Sequence, residues 1–202
     1  MSVEQKEQRV LRWKELLFSK TLAGKNASYQ VAYIAVMTAF AVVSNMFFEF
    51  KLADTQFSLT LAVSAVCGIV IGPLFGFVAC FLGDLVGFLY HSAGFGYMPW
   101  IGLSMGLTAM IAGFVVNGLP TKGCGSLYLK LSVVCVLTFL LCTVAINTTA
   151  FWLLYAPTAD YWAYLMTRLF VKGQIFNTLL NGAALFVFTP LLSRIKPLKI
   201  HL

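Results

Sequence analysis

Long apolar runs separated by short polar connections dominate this chain of 202 residues. The run from Ile71 to Tyr90 is long enough to cross a bilayer, because a hydrocarbon core of about 30 Å takes roughly 20 helical residues. Lipid offers the backbone no hydrogen bonds, so each run of this kind is predicted to be a helix. The pattern therefore predicts an all-α integral membrane protein, a six-transmembrane-helix bundle. The predicted spans cover approximately residues 28–48, 58–71, 71–90, 99–117, 131–155 and 169–192.

The segments outside these runs carry much of the positive charge and predict the orientation. Residues 1–27 mix basic and apolar side chains, which predicts an N-terminal amphipathic cytoplasmic helix lying on the membrane surface. A solvated tail is the alternative. Residues 194–202 form a basic tail. Because loops rich in Lys and Arg stay in the cytoplasm, we expect both termini there, with residues 28–193 forming the membrane domain.

Composition agrees with the pattern. Hydrophobic residues make up 60% of the chain, charged residues 10%, and the mean hydropathy is +0.87, which excludes an ordinary soluble domain. The net charge of +7 is concentrated at the two ends, so nucleic-acid binding is not expected. The five cysteines have no CxxC spacing, so neither a disulfide framework nor a metal site is expected, and no cofactor is predicted.

No catalytic constellation is visible in the sequence. The two histidines, His91 and His201, lie in a predicted outer loop and in the C-terminal tail. The chain lacks a nucleophile elbow, a His-Glu-x-x-His motif and a Walker-type phosphate loop. We therefore expect a protein that is not an enzyme and does not hydrolyse ATP itself.

Polar and aromatic side chains instead gather toward the outer ends of the predicted spans. Buried amides need hydrogen-bond partners, and a ligand with several polar edges would supply them. The alternative is that the amides bond between helices. Arg168 would suit a ligand carboxylate, whereas its alternative role is snorkelling to lipid headgroups. The predicted substrate-binding residues are Phe95, Tyr97, Trp100, Asn147, Trp152, Arg168, Gln174 and Asn177, with Asn181 on the same predicted face.

Asp84 is a single carboxylate inside the third predicted span. A charge at that depth is costly, so it should face protein or trapped water. A proton or cation relay is one interpretation. We favour a structural carboxylate that accepts hydrogen bonds, because no second carboxylate lies within the predicted spans to complete a relay.

Several short motifs together resemble the substrate-binding S components of energy-coupling-factor (ECF) vitamin transporters. The resemblance covers the whole chain and depends on the order and spacing of the motifs. The motifs are Ala35-Val-Met-Thr-Ala39, Gly72-Pro73-Leu-Phe-Gly76, Gly83-Asp84-Leu-Val-Gly87 and Gly94-Phe-Gly-Tyr-Met-Pro99.

The resemblance implies a vitamin-binding subunit of an ATP-driven importer in the cell membrane. Ala35 and Ala39 would dock on a transmembrane T component that works with two ATPase subunits, and the S component would topple within the lipid to release its vitamin. Ile146-Asn147-Thr148, Arg168-Leu169 and Gln174 look most like the folate group. Phe170-Val-Lys-Gly173 departs from the proline-containing stretch of that group, so pantothenate, riboflavin or a pyrimidine precursor stays open.

Two other classes remain as alternatives. The first is a stand-alone ion-coupled membrane carrier that uses Asp84. The second is a small intramembrane enzyme, which the missing catalytic residues disfavour.

Overall fold

The computed structural model describes residues 17–52, 55–90, 96–119 and 124–194. Most of the predicted amphipathic segment, the predicted ligand residue Phe95 and most of the basic tail lie outside these ranges. The elements in chain order are α1 (Lys20–Ala23), α2 (Ala27–Phe47), β1 (Glu49–Leu52), β2 (Thr55–Ser58), α3 (Thr60–Ile71), α4 (Pro73–Tyr90), α5 (Pro99–Gly118), α6 (Cys124–Thr138), α7 (Thr149–Tyr155), α8 (Tyr161–Met166) and α9 (Gln174–Ser193). The described residues include two π-helical segments, Phe139–Thr148 between α6 and α7, and Thr167–Val171 after α8.

Five helices in the described part of the chain are long and apolar enough to cross a membrane. They are α2, α4, α5, the continuous helix formed by α6, the first π-helical segment and α7, and α9. The predicted second span is the short helix α3, whose 12 residues are almost all buried. The count of six spans is therefore not confirmed, because α3 lies inside the bundle and is shorter than a bilayer requires.

Glycines let the backbones of α3, α4 and α5 pack in direct contact with one another. A Cβ atom on Gly68 would overlap the carbonyl oxygen of Ala109, and one on Gly76 would lie 2.7 Å from the Cα of Gly68. Small residues allow this approach in membrane bundles, where dispersion contacts replace the hydrophobic driving force. These three helices form the core that fixes the position of the others.

The connection after the first span is a hairpin of two β-strands. β1 and β2 pair antiparallel, with Glu49 opposite Ser58 and Leu52 opposite Thr55. The pairing satisfies backbone groups at the membrane edge that a loop would leave to water. The expected all-α fold thus holds for the described residues apart from this one ribbon.

The fifth predicted span, residues 131–155, begins earlier in the structure than the sequence indicated. Helix α6 already begins at Cys124, and Lys130 is buried within it. Its Nζ donates to the carbonyl oxygens of Val116 at 3.2 Å and Leu119 at 2.6 Å. A cation suits these last carbonyls of α5, because they carry the negative end of the helix dipole.

The predicted last span, residues 169–192, is divided in two. Gly173 has φ 64°, a left-handed conformation that glycine adopts without strain, and α9 begins at the next residue. Arg168 and Lys172 therefore belong to the preceding segment and do not share a helix with Gln174. This break lets Arg168 turn toward the bundle independently of the face that α9 presents.

Candidate functional site

Aromatic rings and one arginine meet around Phe151, at the bundle end that carries the hairpin. The guanidinium carbon of Arg168 lies 4.1 Å from the centre of the Phe151 ring. The ring of Trp100, at the start of α5, meets Phe151 edge-on with centroids 5.9 Å apart, and Tyr155 stacks at 5.8 Å. This cluster therefore joins α5, α7 and the second π-helical segment.

Two buried donors in this cluster are unused among the described residues. The Nε of Arg168 and the Nε1 of Trp100 are both inaccessible to water and have no hydrogen-bond partner there. Burial lowers the pKa of Arg168 below its usual value, and a hydrogen bond with Tyr164 partly opposes this shift. Buried donors without partners are costly, so an acceptor-bearing ligand would relieve this arrangement.

Asn147 lies on the first π-helical segment and faces α5. Its Oδ1 accepts a hydrogen bond of 3.0 Å from the hydroxyl of Ser104, which is buried one turn beyond Trp100. The amide group is half-buried, and within the described ranges its Nδ2 makes no hydrogen bond. Asn147 is thus held in place on one side and keeps a donor for another molecule.

Trp152 and Gln174 occupy different surroundings. The Nε1 of Trp152 donates to the carbonyl of Ala159 at 2.9 Å, and its ring packs edge-on against Tyr161. Trp152 therefore supports the turn between α7 and α8. Gln174 is half-buried at the first position of α9, and its side chain makes no hydrogen bond to the residues that the structure describes.

Asn177 and Asn181 hold α9 to the junction between β2 and α3. The Oδ1 of Asn177 accepts from the backbone nitrogen of Ser58 at 3.0 Å, and the Nδ2 of Asn181 donates to the carbonyl of Ser58 at 2.6 Å. The Oδ1 of Asn181 accepts from the backbone nitrogen of Ala62 at 2.9 Å. These contacts are of the kind expected if the amides bond between helices, the alternative that the sequence left open. A ligand contact by Asn177 stays a prediction.

Asp84 accepts a hydrogen bond from a neighbouring helix, as the structural interpretation requires. The Nδ2 of Asn45, on α2, donates to its Oδ1 at 3.2 Å. A Cβ atom on Gly102 would lie 2.8 Å from Oδ2 of Asp84 and 2.9 Å from the hydroxyl of Tyr97. Burial, together with the charge of Asp84, raises the pKa of Tyr97 to about 12. Tyr97 thus faces α4, where its ring also contacts Phe88.

A cavity of about 20 Å³ lies between α3, α5, α6 and α9, near Thr108, Thr143 and Asn181. A space of this size holds about one water molecule. It is too small for a vitamin, so the cluster around Phe151 is the stronger candidate for ligand contact in the described part of the chain.

The predicted docking residues lie on an open face. Ala35 and Ala39 are exposed on α2, next to the exposed Val36 and Phe40. Only 11% of this span is buried inside the bundle, compared with 50% for α5. The face is free for lipid or for a partner helix.

Sequence reasoning missed Phe151 and Tyr164, which contact Arg168. Phe151 is one more apolar residue in an apolar span, so no local signal distinguishes it. Its role becomes visible only when the fold places Arg168 over its ring.

The chain matches the model of a known family and several solved structures. The family model described as ECF-type riboflavin transporter, S component, matches residues 25–197. A solved structure, the crystal structure of FolT bound with folic acid, is similar with a TM-score of 0.61 and 22% identity, over 77% of this chain and 89% of that one. At that identity the likeness concerns the fold. No curated protein matches the chain in sequence.

Proposed function

The chain belongs to the family of ECF-type riboflavin transporter S components, and we propose that the vitamin it binds is folate or a related anionic vitamin. S components are substrate-binding subunits of membrane transporters, so the chain is a vitamin-binding membrane protein and not an enzyme. The resemblance of its motifs to the folate group and its structural similarity to FolT both support the choice of folate.

Arg168 is the observation that carries this proposal. Its half-buried guanidinium lies over the ring of Phe151, its inaccessible Nε has no partner among the described residues, and no acidic side chain there pairs with it. A carboxylate would accept two parallel hydrogen bonds from this fork. Folate carries carboxylates at its glutamate end, whereas riboflavin has none. The flat ring of folate would find stacking partners in Trp100 and Phe151.

Direct binding measurements decide between the two vitamins. We expect the purified protein in detergent to bind folate tightly by calorimetry, with no partner subunit present, and to bind riboflavin much more weakly. Tight riboflavin binding with no folate binding would contradict the proposed substrate, but it would leave the membership of the S-component family intact.

Transport would require partners that supply the ATP chemistry. We propose that the chain works with a transmembrane T component and two ATPase subunits in the cell membrane, with both of its termini in the cytoplasm. The exposed face of α2 around Ala35 and Ala39 supports docking, because small residues let a partner helix approach closely.

Ala35→Trp is expected to abolish co-purification with the T component while leaving folate affinity unchanged. The bulky ring would hold the partner helix away from the α2 face, which lies apart from Phe151. The matched control is Ala183→Trp, because Ala183 is an equally exposed alanine on α9. Normal co-purification of the Ala35 variant, measured by affinity pull-down from membranes, would remove this face from the interface.

The carrier hypothesis finds less support. Asp84 has its Oδ1 engaged by Asn45, an arrangement suited to packing. Uptake by the chain alone, driven by a proton gradient and abolished in Asp84→Asn, would favour the carrier over the S component.

A further inference from the structure

Two polar residues of the proposed site, Asn147 and Arg168, lie on π-helical segments. Asn147 belongs to Phe139–Thr148, and Arg168 belongs to Thr167–Val171. Such turns bond from residue i to i+5, are rare, and are frequently found at functional sites. An α-helix advances about 100° per residue, so one residue gained or lost in a turn would rotate everything beyond it by about that angle. The directions of Asn147 and of the α7 rings therefore depend on the widened register being kept.

One side chain marks this register. The hydroxyl of Thr148 donates to the carbonyl of Thr143, five residues back, at 2.8 Å, and the side chain of Thr148 is fully buried. Five hydroxyls in the described α-helical segments bond within their own helix and reach four residues back, and that of Thr138 also reaches three residues back. The pairs are Thr38 with Ile34, Thr108 with Ser104, Ser132 with Tyr128, Thr138 with Val134, and Thr178 with Gln174.

The five-residue span of the Thr148 bond matches the π-helical register that precedes it, whereas Thr167, at the first residue of the second π-helical segment, still reaches four residues back to Ala163. If the segment relaxed to an α-helix, the hydroxyl of Thr148 would face the carbonyl of residue 144, as the other hydroxyls do. The bond to Thr143 is then lost, and the turns on either side of Thr148 rotate against each other. Asn147 would leave Ser104, and Phe151 would leave the space between Trp100 and Arg168.

We propose that Thr148 is a positioning residue for the vitamin site. Its hydroxyl holds the π-helical register through Thr143, and this register directs Asn147 toward α5 and places Phe151 beneath Arg168. The inference rests on the proposed function in locating the vitamin at this cluster. Thr148 itself need not touch the vitamin, because its hydroxyl is already bonded within the helix.

The test compares two nearly isosteric substitutions. Thr148→Val removes the hydroxyl that reaches five residues back. Thr138→Val removes one in the preceding α-helical segment, where Thr138 bonds to Val134 and Cys135. Thr148→Ser restores the hydroxyl and serves as the rescue. The three variants are purified as full chains in detergent, and their melting temperatures are compared without ligand.

A ligand-free readout is fluorine NMR of protein labelled with 5-fluorotryptophan. The resonance of Trp100, assigned through Trp100→Phe, reports the packing of its ring against Phe151. We expect this resonance to move in Thr148→Val and to stay in place in Thr138→Val and Thr148→Ser. Folate affinity should fall about tenfold in Thr148→Val, a loss corresponding to one net hydrogen bond, while the other two variants bind as the wild type does.

Each contrary result has a distinct meaning. An unmoved Trp100 resonance in Thr148→Val would overturn the proposal, whatever the ligand. Equal losses of affinity and of melting temperature in both valine variants would assign Thr148 a general structural role and overturn it as well. If the wild type binds no folate, the proposed substrate fails, while the fluorine resonance still decides whether Thr148 sets the register.

Discussion

Replacing Arg168 with alanine is expected to weaken folate binding by about 100-fold, because a charged hydrogen bond contributes about 1.5–3 kcal/mol. The guanidinium lies over Phe151 with its Nε unused. Its loss removes both the fork that donates hydrogen bonds to a carboxylate and the charge that attracts it. Calorimetry with folate on the purified variant measures the effect.

Two further variants separate the roles of charge and shape. Arg168→Lys keeps the positive charge but loses the planar fork, so we expect it to recover only part of the affinity. Lys172→Ala removes an exposed cation four residues away and should change affinity little. Unchanged folate affinity in Arg168→Ala, or an equal loss in Lys172→Ala, would exclude Arg168 from the site.

Replacing Asn181 with leucine is expected to cause the largest loss of stability. Leucine has a similar size but makes no hydrogen bond. The substitution would leave the backbone nitrogen of Ala62 and the carbonyl of Ser58 without their partner inside the bundle. Buried groups left unsatisfied cost about 1–3 kcal/mol each, so we expect about 4 kcal/mol in total. A large fall in melting temperature in detergent should follow.

The cause lies in how α3 begins. Leu59 occupies the N-cap position and cannot accept a hydrogen bond through its side chain, so Asn181 serves the first turn of α3 from another helix. Thr178→Val is the matched control, because the Thr178 hydroxyl bonds only to the carbonyl of Gln174 on its own helix. If Asn181→Leu melts close to the wild type while folding normally, the cap from α9 is not a major support of α3.

Local pattern predicted the parts of the fold that depend on neighbouring residues. The bounds of α2 and α5 lie within about one residue of their predicted limits, because a change from apolar to polar sequence marks where a helix leaves lipid. The break at Gly173, where α9 begins, was harder to predict. Lys172-Gly173-Gln174 interrupts the apolar run and a glycine there permits a bend, but the sequence alone did not establish that the helix ends at Gly173.

The candidate site was predictable only as a collection of residue types. Arg168, Trp100 and Asn147 were identified because arginine, aromatic rings and amides are the groups that an anionic, ring-bearing ligand needs. The assignment of each amide depended on contacts between distant parts of the chain. Asn177 and Asn181 contact residues 119 positions away, a separation at which no local periodicity predicts the partner.

The sequence by itself determined that this is a membrane-spanning helical protein with polar groups near one end and a small-residue face on its first span. These properties follow from hydrophobicity and short-range spacing, which act residue by residue. Only the tertiary structure decided that Lys130 caps α5, that Asn181 caps α3, and that the π-helical register turns Asn147 toward Ser104. Such roles arise from hydrogen bonds that form when separate helices pack, so the physical reason for them lies in the packing.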